Sequence, residues 1–159
     1  MTQTINISYE HYTLDTLPTS DSELVKAAFE ATTQAYAPFS GFKVGAAARL
    51  RSGEIITAAN CESEVFPSGL CAERTTLFYA GSSHPDTPVV ALAIAAYTDG
   101  AFTPTPIAPC GACRQVMLET ESRHHHPIRI LLYGTEGIYL IEGGTRELLP
   151  LTFDASFME

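Results

Sequence analysis

The sequence predicts an α/β fold, a mixed sheet with helices packed on it, and three observations carry that reading. The run 89–96 (VVALAIAA) holds no polar residue, as a central strand covered on both faces requires. Helical and extended patterns alternate along the chain as helix, two strands, helix, strand, helix, two strands, which is the order of a mixed sheet with flanking helices. The chain has 159 residues and 45% hydrophobic content, enough for one domain to hold a core without disulfides or metal.

Residues 1–19 read as an N-terminal extension, where Ile5, Ile7 and Tyr9 alternate with polar residues as a candidate edge strand. The main domain is placed at 20–159. Its first helix runs over 20–35, with Ser20 or Asp21 as N-cap, Glu23 in the first turn, and Leu24, Val25, Ala28 and Phe29 on one face; it ends before Pro38. Strands at 43–50 and 54–60 form a hairpin through Arg51, Ser52 and Gly53. A second helix opens at Cys71 and reaches about Ala80. After the apolar strand at 89–96, three prolines between Thr103 and Pro109 make a rigid, non-helical approach to a third helix that opens at Cys110. Strands at 128–133 and 138–141 complete a sheet of five.

Composition narrows the function. Nine Lys plus Arg against eighteen Asp plus Glu give a net charge of −9, a field that repels phosphate backbones and anionic lipid. Neither nucleic acid nor a membrane is expected as a partner. The longest apolar run is far short of the ~18 residues a bilayer span needs, and residues 1–9 lack the basic and apolar regions of a secretory signal. A soluble, cytosolic protein follows as the expectation. In that compartment four cysteines, two of them in a C-x-x-C, point to metal or redox chemistry rather than to a disulfide framework.

The chemistry concentrates in Cys71-Ala72-Glu73-Arg74 and Pro109-Cys110-Gly111-Ala112-Cys113. Cys110 and Cys113, three apart in a first helical turn, share a face, and a helix N-terminus favours their thiolates. Cys71, opening another helix, can supply a third sulfur. Three protein ligands leave one open coordination position, the arrangement of catalytic rather than structural zinc. Glu73, two residues past Cys71, could then stand beside the water in that position as a general acid/base. Zinc with three thiolates carries a formal charge of −1, and Arg74 is the candidate to offset it through hydrogen bonds to sulfur; the plainer reading of Arg74 is a surface salt bridge. A redox C-x-x-C has no use for the distant Cys-Ala-Glu. A closed structural site would need Cys61 as fourth sulfur, but structural ligand pairs are separated by two to four residues, whereas nine lie between Cys61 and Cys71. Cys61 reads instead as a small buried hydrophobe.

These residues resemble the zinc-dependent cytidine deaminase family, whose signature is H-x-E followed by P-C-x-x-C, with Cys in place of His in a three-cysteine branch. The resemblance spans about Tyr36 to Phe153, through the stretch Ala37 to Ala47, Asn60-Cys61-Glu62, Cys71 to Arg74, Pro109 to Gln115, and Leu148-Leu149-Pro150. It implies a three-layer α/β/α sandwich, hydrolytic deamination of cytidine and 2′-deoxycytidine to the uridines in pyrimidine salvage, one Zn2+ per chain, and a homotetramer acting on a small-molecule pyrimidine nucleoside. Position by position it implies Cys71, Cys110 and Cys113 as metal ligands and Glu73 as proton shuttle. Phe42 matches an aromatic that packs on the pyrimidine, Asn60 and Glu62 the pair that holds the ribose 3′-hydroxyl, and Phe153 a residue that reaches a neighbouring subunit's pocket. Without the resemblance, Phe42 reads equally as core packing and the 148–153 segment ending at Phe153 as the end of a short amphipathic helix packed on its own core.

Some positions depart from the family pattern. Ala108 stands where Ser or Thr usually precedes the Pro-Cys pair, Ser63 and Glu64 replace a common Asn and Ala, and Phe66-Pro67 replaces a common Tyr-Ser or Tyr-Gly. His124, His125 and His126 read as a solvated polar loop. Two alternatives stay open at this stage: a deaminase of another aminopyrimidine, such as a cytosine-containing antibiotic, and a zinc-stabilised binding module without catalysis.

Overall fold

Along the described residues, 1–158 of a computed structural model, the elements run β1 (Glu10–Tyr12), α1 (Thr19–Ala31), β2 (Lys43–Leu50), β3 (Ile55–Ala59), α2 (Ala72–Ser83), β4 (Val89–Thr98), β5 (Ala101–Phe102), α3 (Gly111–His124), β6 (Arg129–Gly134) and β7 (Gly137–Ile141). The apolar run predicted as central is β4, which pairs antiparallel with β2 and parallel with β6. The sheet order is β1-β7-β6-β4-β2-β3, with β5 beside β4.

Alternation along β4 divides the core in two. Leu92, Ile94 and Ala96 face α2 and α3, where they meet Leu77 and Met117. Ala91, Ala93 and Ala95 face α1, where they meet Leu24, Val25 and Ala28. These two cores make three layers, helix on sheet on helix, as the family resemblance implies. The small residues on the α1 side let that helix approach closely. At Gly45 a Cβ would lie 2.2 Å from the Ala28 carbonyl oxygen and 2.6 Å from the Thr32 nitrogen, so only glycine fits there.

The sheet has seven strands rather than five. The two additions are three and two residues long, too short for a period-2 pattern to show. One of them did carry a signal. Asp99 and Gly100 both have positive φ (52° and 85°), the conformation an Asp-Gly hairpin adopts, and they turn β4 directly into β5. The edge strand expected around Ile5, Ile7 and Tyr9 lies further along, at Glu10–Tyr12 against β7, and those three side chains are exposed.

Helix α1 starts and stops differently from its sequence reading. Its N-cap is Pro18, with no side-chain cap; Asp21, proposed as a cap, is buried and accepts two hydrogen bonds of 3.0 Å from Arg129 of β6. A buried carboxylate needs a charged partner more than the helix needs a cap. The α-helix ends at Ala31 rather than Ala35, continued by a single 3₁₀ turn, Thr32–Gln34. Thr32 and Thr33 donate their hydroxyls back to the carbonyls of Phe29 and Glu30, which competes with the helical ladder. Helices α2 and α3 each begin one residue after the expected cysteine, with Cys71 and Cys110 as N-caps.

Candidate active site

Because Cys71 and Cys110 cap α2 and α3, their sulfurs stand at two adjacent helix N-termini, 3.8 Å apart. Cys113, one turn into α3, lies 3.5 Å from Cys110. All three Sγ atoms fall within 4.8 Å of one another, and no other group of His, Cys, Asp or Glu among the described residues forms such a cluster. The donor set fits zinc: a tetrahedron with Zn–S bonds of about 2.3 Å has edges near 3.8 Å, and three sulfurs leave one corner open. The thiol of Cys71 is pulled down to about 5, first by its hydrogen bond with Cys113 and then by Arg74 and Cys110, while the same sharing with Cys71 and burial push Cys113 up. The helix N-termini act in the same direction on Cys71.

Glu73 points from the first turn of α2 into this group and is only 3% exposed, and its Oε2 has no hydrogen-bond partner. Burial pushes its carboxyl above the usual glutamate range, and the negative Cys71 adds to that. An unpartnered buried carboxylate oxygen is costly, and it is what a group waiting for a reacting water or substrate proton looks like. Arg74 is not a surface salt bridge: its Nη2 lies 3.8 Å from the Cys71 sulfur, so its charge is spent on the thiolates.

Cys71, Cys110 and Glu73 form one end of an open cleft of about 600 Å³, with Cys113 buried behind them, and its other end is lined by Phe42, Asn60 and Glu62. Phe42 is half-buried, packed against the α2/α3 core as well as facing the cleft. Asn60 is tied to the start of β2, its Oδ1 accepting from the Val44 N–H at 2.8 Å and its Nδ2 donating to the Phe42 carbonyl at 2.9 Å. Glu62 accepts from the N–H groups of Phe39 and Ser40 and from the Ser40 hydroxyl, and these bonds hold its carboxyl below the usual range. Phe153 is not brought to this cleft. It is exposed, stacked on Phe157 at 5.8 Å, and its carbonyl accepts from Gln115.

Cys61 is exposed rather than buried, a correction to its reading as a small hydrophobe. Its backbone pairs with Tyr36 and Leu70 across a loop crossing, which leaves its side chain at the cleft rim, outside the sulfur cluster. The three histidines do not join a metal cluster; His125 takes the left-handed conformation that ends α3. Sequence reasoning missed Arg114, which donates to the carbonyls of Pro109 and Leu148 and so ties the segment before Cys110 to the C-terminal stretch. Its place directly after the C-x-x-C was the available signal. Ser40, between Phe42 and Glu62, was also passed over.

A hydrolase of the zinc-dependent deaminase class is what this three-layer fold with three convergent thiolates and a buried carboxylate defines. Residues 18–125 match the model of the cytidine and deoxycytidylate deaminase zinc-binding region, and the chain belongs to the cytidine deaminase family, zinc enzymes that hydrolyse C–N bonds. It is 46% identical over 96 residues to a cytidine deaminase of Halalkalibacterium halodurans, an alignment that covers 60% of this chain and 68% of that one. A crystal structure of cytidine deaminase from Burkholderia pseudomallei superposes with a TM-score of 0.70 at 37% identity, covering 82% of this chain and 97% of that one. A blasticidin-S deaminase of Bacillus cereus is 30% identical over 135 residues, 84% of this chain and 91% of that one. No helix among the described residues is long and apolar enough to cross a membrane.

Proposed function

We propose that the protein deaminates cytidine and 2′-deoxycytidine to the corresponding uridines, releasing ammonia, as a cytoplasmic homotetramer in pyrimidine salvage. The observation that carries the reading is the buried carboxylate of Glu73, its Oε2 without a hydrogen-bond partner, beside three convergent sulfurs. Cys71, Cys110 and Cys113 would hold the zinc, which when bound would supply Lewis acidity to the reacting water. Glu73 takes a proton from the attacking water and delivers it to ring N3 as the oxygen bonds to C4; it then takes the proton of the new C4 hydroxyl and passes it to the amino group, so that the C4–N bond breaks, the C4 carbonyl forms and ammonia leaves, one carboxylate serving both steps. Its raised proton affinity suits a group that must carry a proton part of the time. Arg74 offsets the thiolate charge.

The far end of the cleft positions the substrate. Phe42 offers its ring to the pyrimidine. Asn60 has used one donor and one acceptor and keeps one of each; Glu62 keeps lone-pair capacity beyond its three donors. Together they suit one sugar hydroxyl. Charge argues for a nucleoside over a nucleotide, because Arg74 is the one cation among the lining residues and it is committed to Cys71. A 5′-phosphate would meet Glu62 and no free cation. Phe153, exposed and not among the residues lining its own cleft, is available to a neighbouring subunit.

The likeness to a blasticidin-S deaminase supports a second reading, a cytosine-containing antibiotic as substrate. Spectrophotometric assay of the zinc-loaded protein against cytidine, deoxycytidine, deoxycytidylate and blasticidin S separates these. The expected result is loss of the cytidine and deoxycytidine bands with deoxycytidylate inert; turnover of blasticidin S alone would replace the nucleoside reading.

A further inference from the structure

Between the two positions proposed to meet substrate, Phe42 and Glu62, stands a residue that touches both. The Ser40 hydroxyl donates to Glu62 Oε1 and accepts from the Phe42 N–H at 3.0 Å. The same carboxylate accepts at Oε2 from the Phe39 N–H at 2.8 Å and the Ser40 N–H at 3.3 Å. Next in sequence, Gly41 adopts φ +69°, a left-handed turn that brings the chain from Ser40 round to Phe42. The hydroxyl therefore uses its one proton on the carboxylate and a lone pair on the aromatic residue's backbone. No other side chain among the described residues hydrogen-bonds to both.

We propose that Ser40 is a positioning residue for nucleoside recognition, holding the Glu62 carboxylate in a fixed place against the Phe42 backbone so that it is already set to meet the sugar hydroxyl. The proposal rests on the nucleoside reading above. Ser40 and Glu62 lie on the chain's surface side of the cleft, where water would otherwise solvate the carboxylate and leave it several rotamers. A hydrogen bond from a neutral donor to a charged acceptor is among the stronger kinds, and restraining a binding group beforehand lowers the entropy lost when the ligand arrives. Glu62 has the lone-pair capacity left to accept a sugar hydroxyl while keeping Ser40. The metal end does not depend on this contact: neither Ser40 nor Glu62 hydrogen-bonds to Glu73, Cys71, Cys110 or Cys113, and the one thiol that reaches Glu62, Cys61 on its carbonyl, lies outside the sulfur cluster.

Steady-state kinetics on the zinc-loaded full chain test this with cytidine and 3′-deoxycytidine, which lacks the hydroxyl assigned to Glu62. Ser40→Ala should raise KM for cytidine about five- to tenfold with kcat within about twofold, and should change KM for 3′-deoxycytidine less than twofold. Ser40→Thr, which keeps the hydroxyl, should restore the cytidine KM. Adding Ser40→Ala to Glu62→Gln should cost little more than Glu62→Gln alone, because both act through one carboxylate. Zinc content and thermal midpoint of each variant show that it is folded. An equal rise in KM for both substrates would reduce Ser40 to loop structure, and an unchanged cytidine KM would remove its role; either overturns the proposal. If the unsubstituted protein handles cytidine and 3′-deoxycytidine alike, the sugar contact itself fails, and if it deaminates neither, the nucleoside reading fails. Those two outcomes are read before any Ser40 variant is made.

Discussion

At one end of the cleft, three sulfurs and a carboxylate stand on the first turns of α2 and α3, with Cys113 and Glu73 buried. At the other, Phe42 precedes β2 and Asn60 and Glu62 follow β3, and all three hold their places through side-chain to backbone hydrogen bonds between two connecting segments. Two helix N-termini fix the first group, each by short spacing along its own segment. Pairing between distant segments fixes the second. Two of the positions that depart from the family pattern, Ser63 and Phe66, line the cleft along with Glu62 and are not members of the sulfur cluster.

The largest expected effect is at the metal end. Glu73→Ala should keep zinc and fold while losing its proton-transfer contribution, roughly 10² to 10⁴-fold in kcat; near-normal turnover by steady-state assay would move the acid/base role elsewhere. Glu62→Gln should act at the other end instead, raising the cytidine KM by about tenfold, as loss of a hydrogen bond to a charged group does, with zinc content unchanged. If that variant instead lost kcat as severely as Glu73→Ala, the division of the cleft into two ends would break. Smaller still, Phe153→Ala should raise KM a few-fold, and activity should fall as the assembly is diluted; a fully active monomer by light scattering would remove Phe153 from the site. Cys61→Ser should leave zinc content unchanged by elemental analysis, since Cys61 stands outside the sulfur cluster.

The proton dependence of the two ends sharpens the same contrast. Glu62 is held below its ordinary value of 4.5 by the Ser40 hydroxyl and the Phe39 N–H. A depressed carboxyl contributes fully above its ordinary value and loses its contribution as the pH falls through the lowered one. The cytidine KM should therefore stay flat from neutral pH down to about 4.5 and rise only below it. A KM that climbs between pH 7 and 5 would mean that Glu62 is not held by this turn.

The two ends also differed in how well they could be read from the sequence. Cys110 and Cys113 lie three apart in one helical turn and Glu73 two past Cys71, so spacing predicts each pair, while the meeting of the two pairs, 39 residues apart, is offered by the chemistry of a three-thiolate site and by the family resemblance; the charge balance of that site points to Arg74. The apolar alternation of β4 likewise made the sheet's centre legible. The hydrogen bonds of Asn60 and Glu62 were not, because they join residues 16 to 23 positions apart across loops that carry no periodic pattern. Asp21 looked like a helix cap because its partner, Arg129, is 108 residues away. Cys61 looked like a buried hydrophobe because free cysteines usually are, whereas a loop crossing leaves it at the rim. Long-range pairing decided each of these.

The most direct test of the account is stepwise removal and return of zinc, with ammonia release from cytidine followed against bound metal. Activity is expected to rise in proportion to zinc up to about one per chain and to vanish when zinc is stripped. Cytidine deamination that persists after the metal is gone, or a fully zinc-loaded protein that releases no ammonia from cytidine, would contradict it.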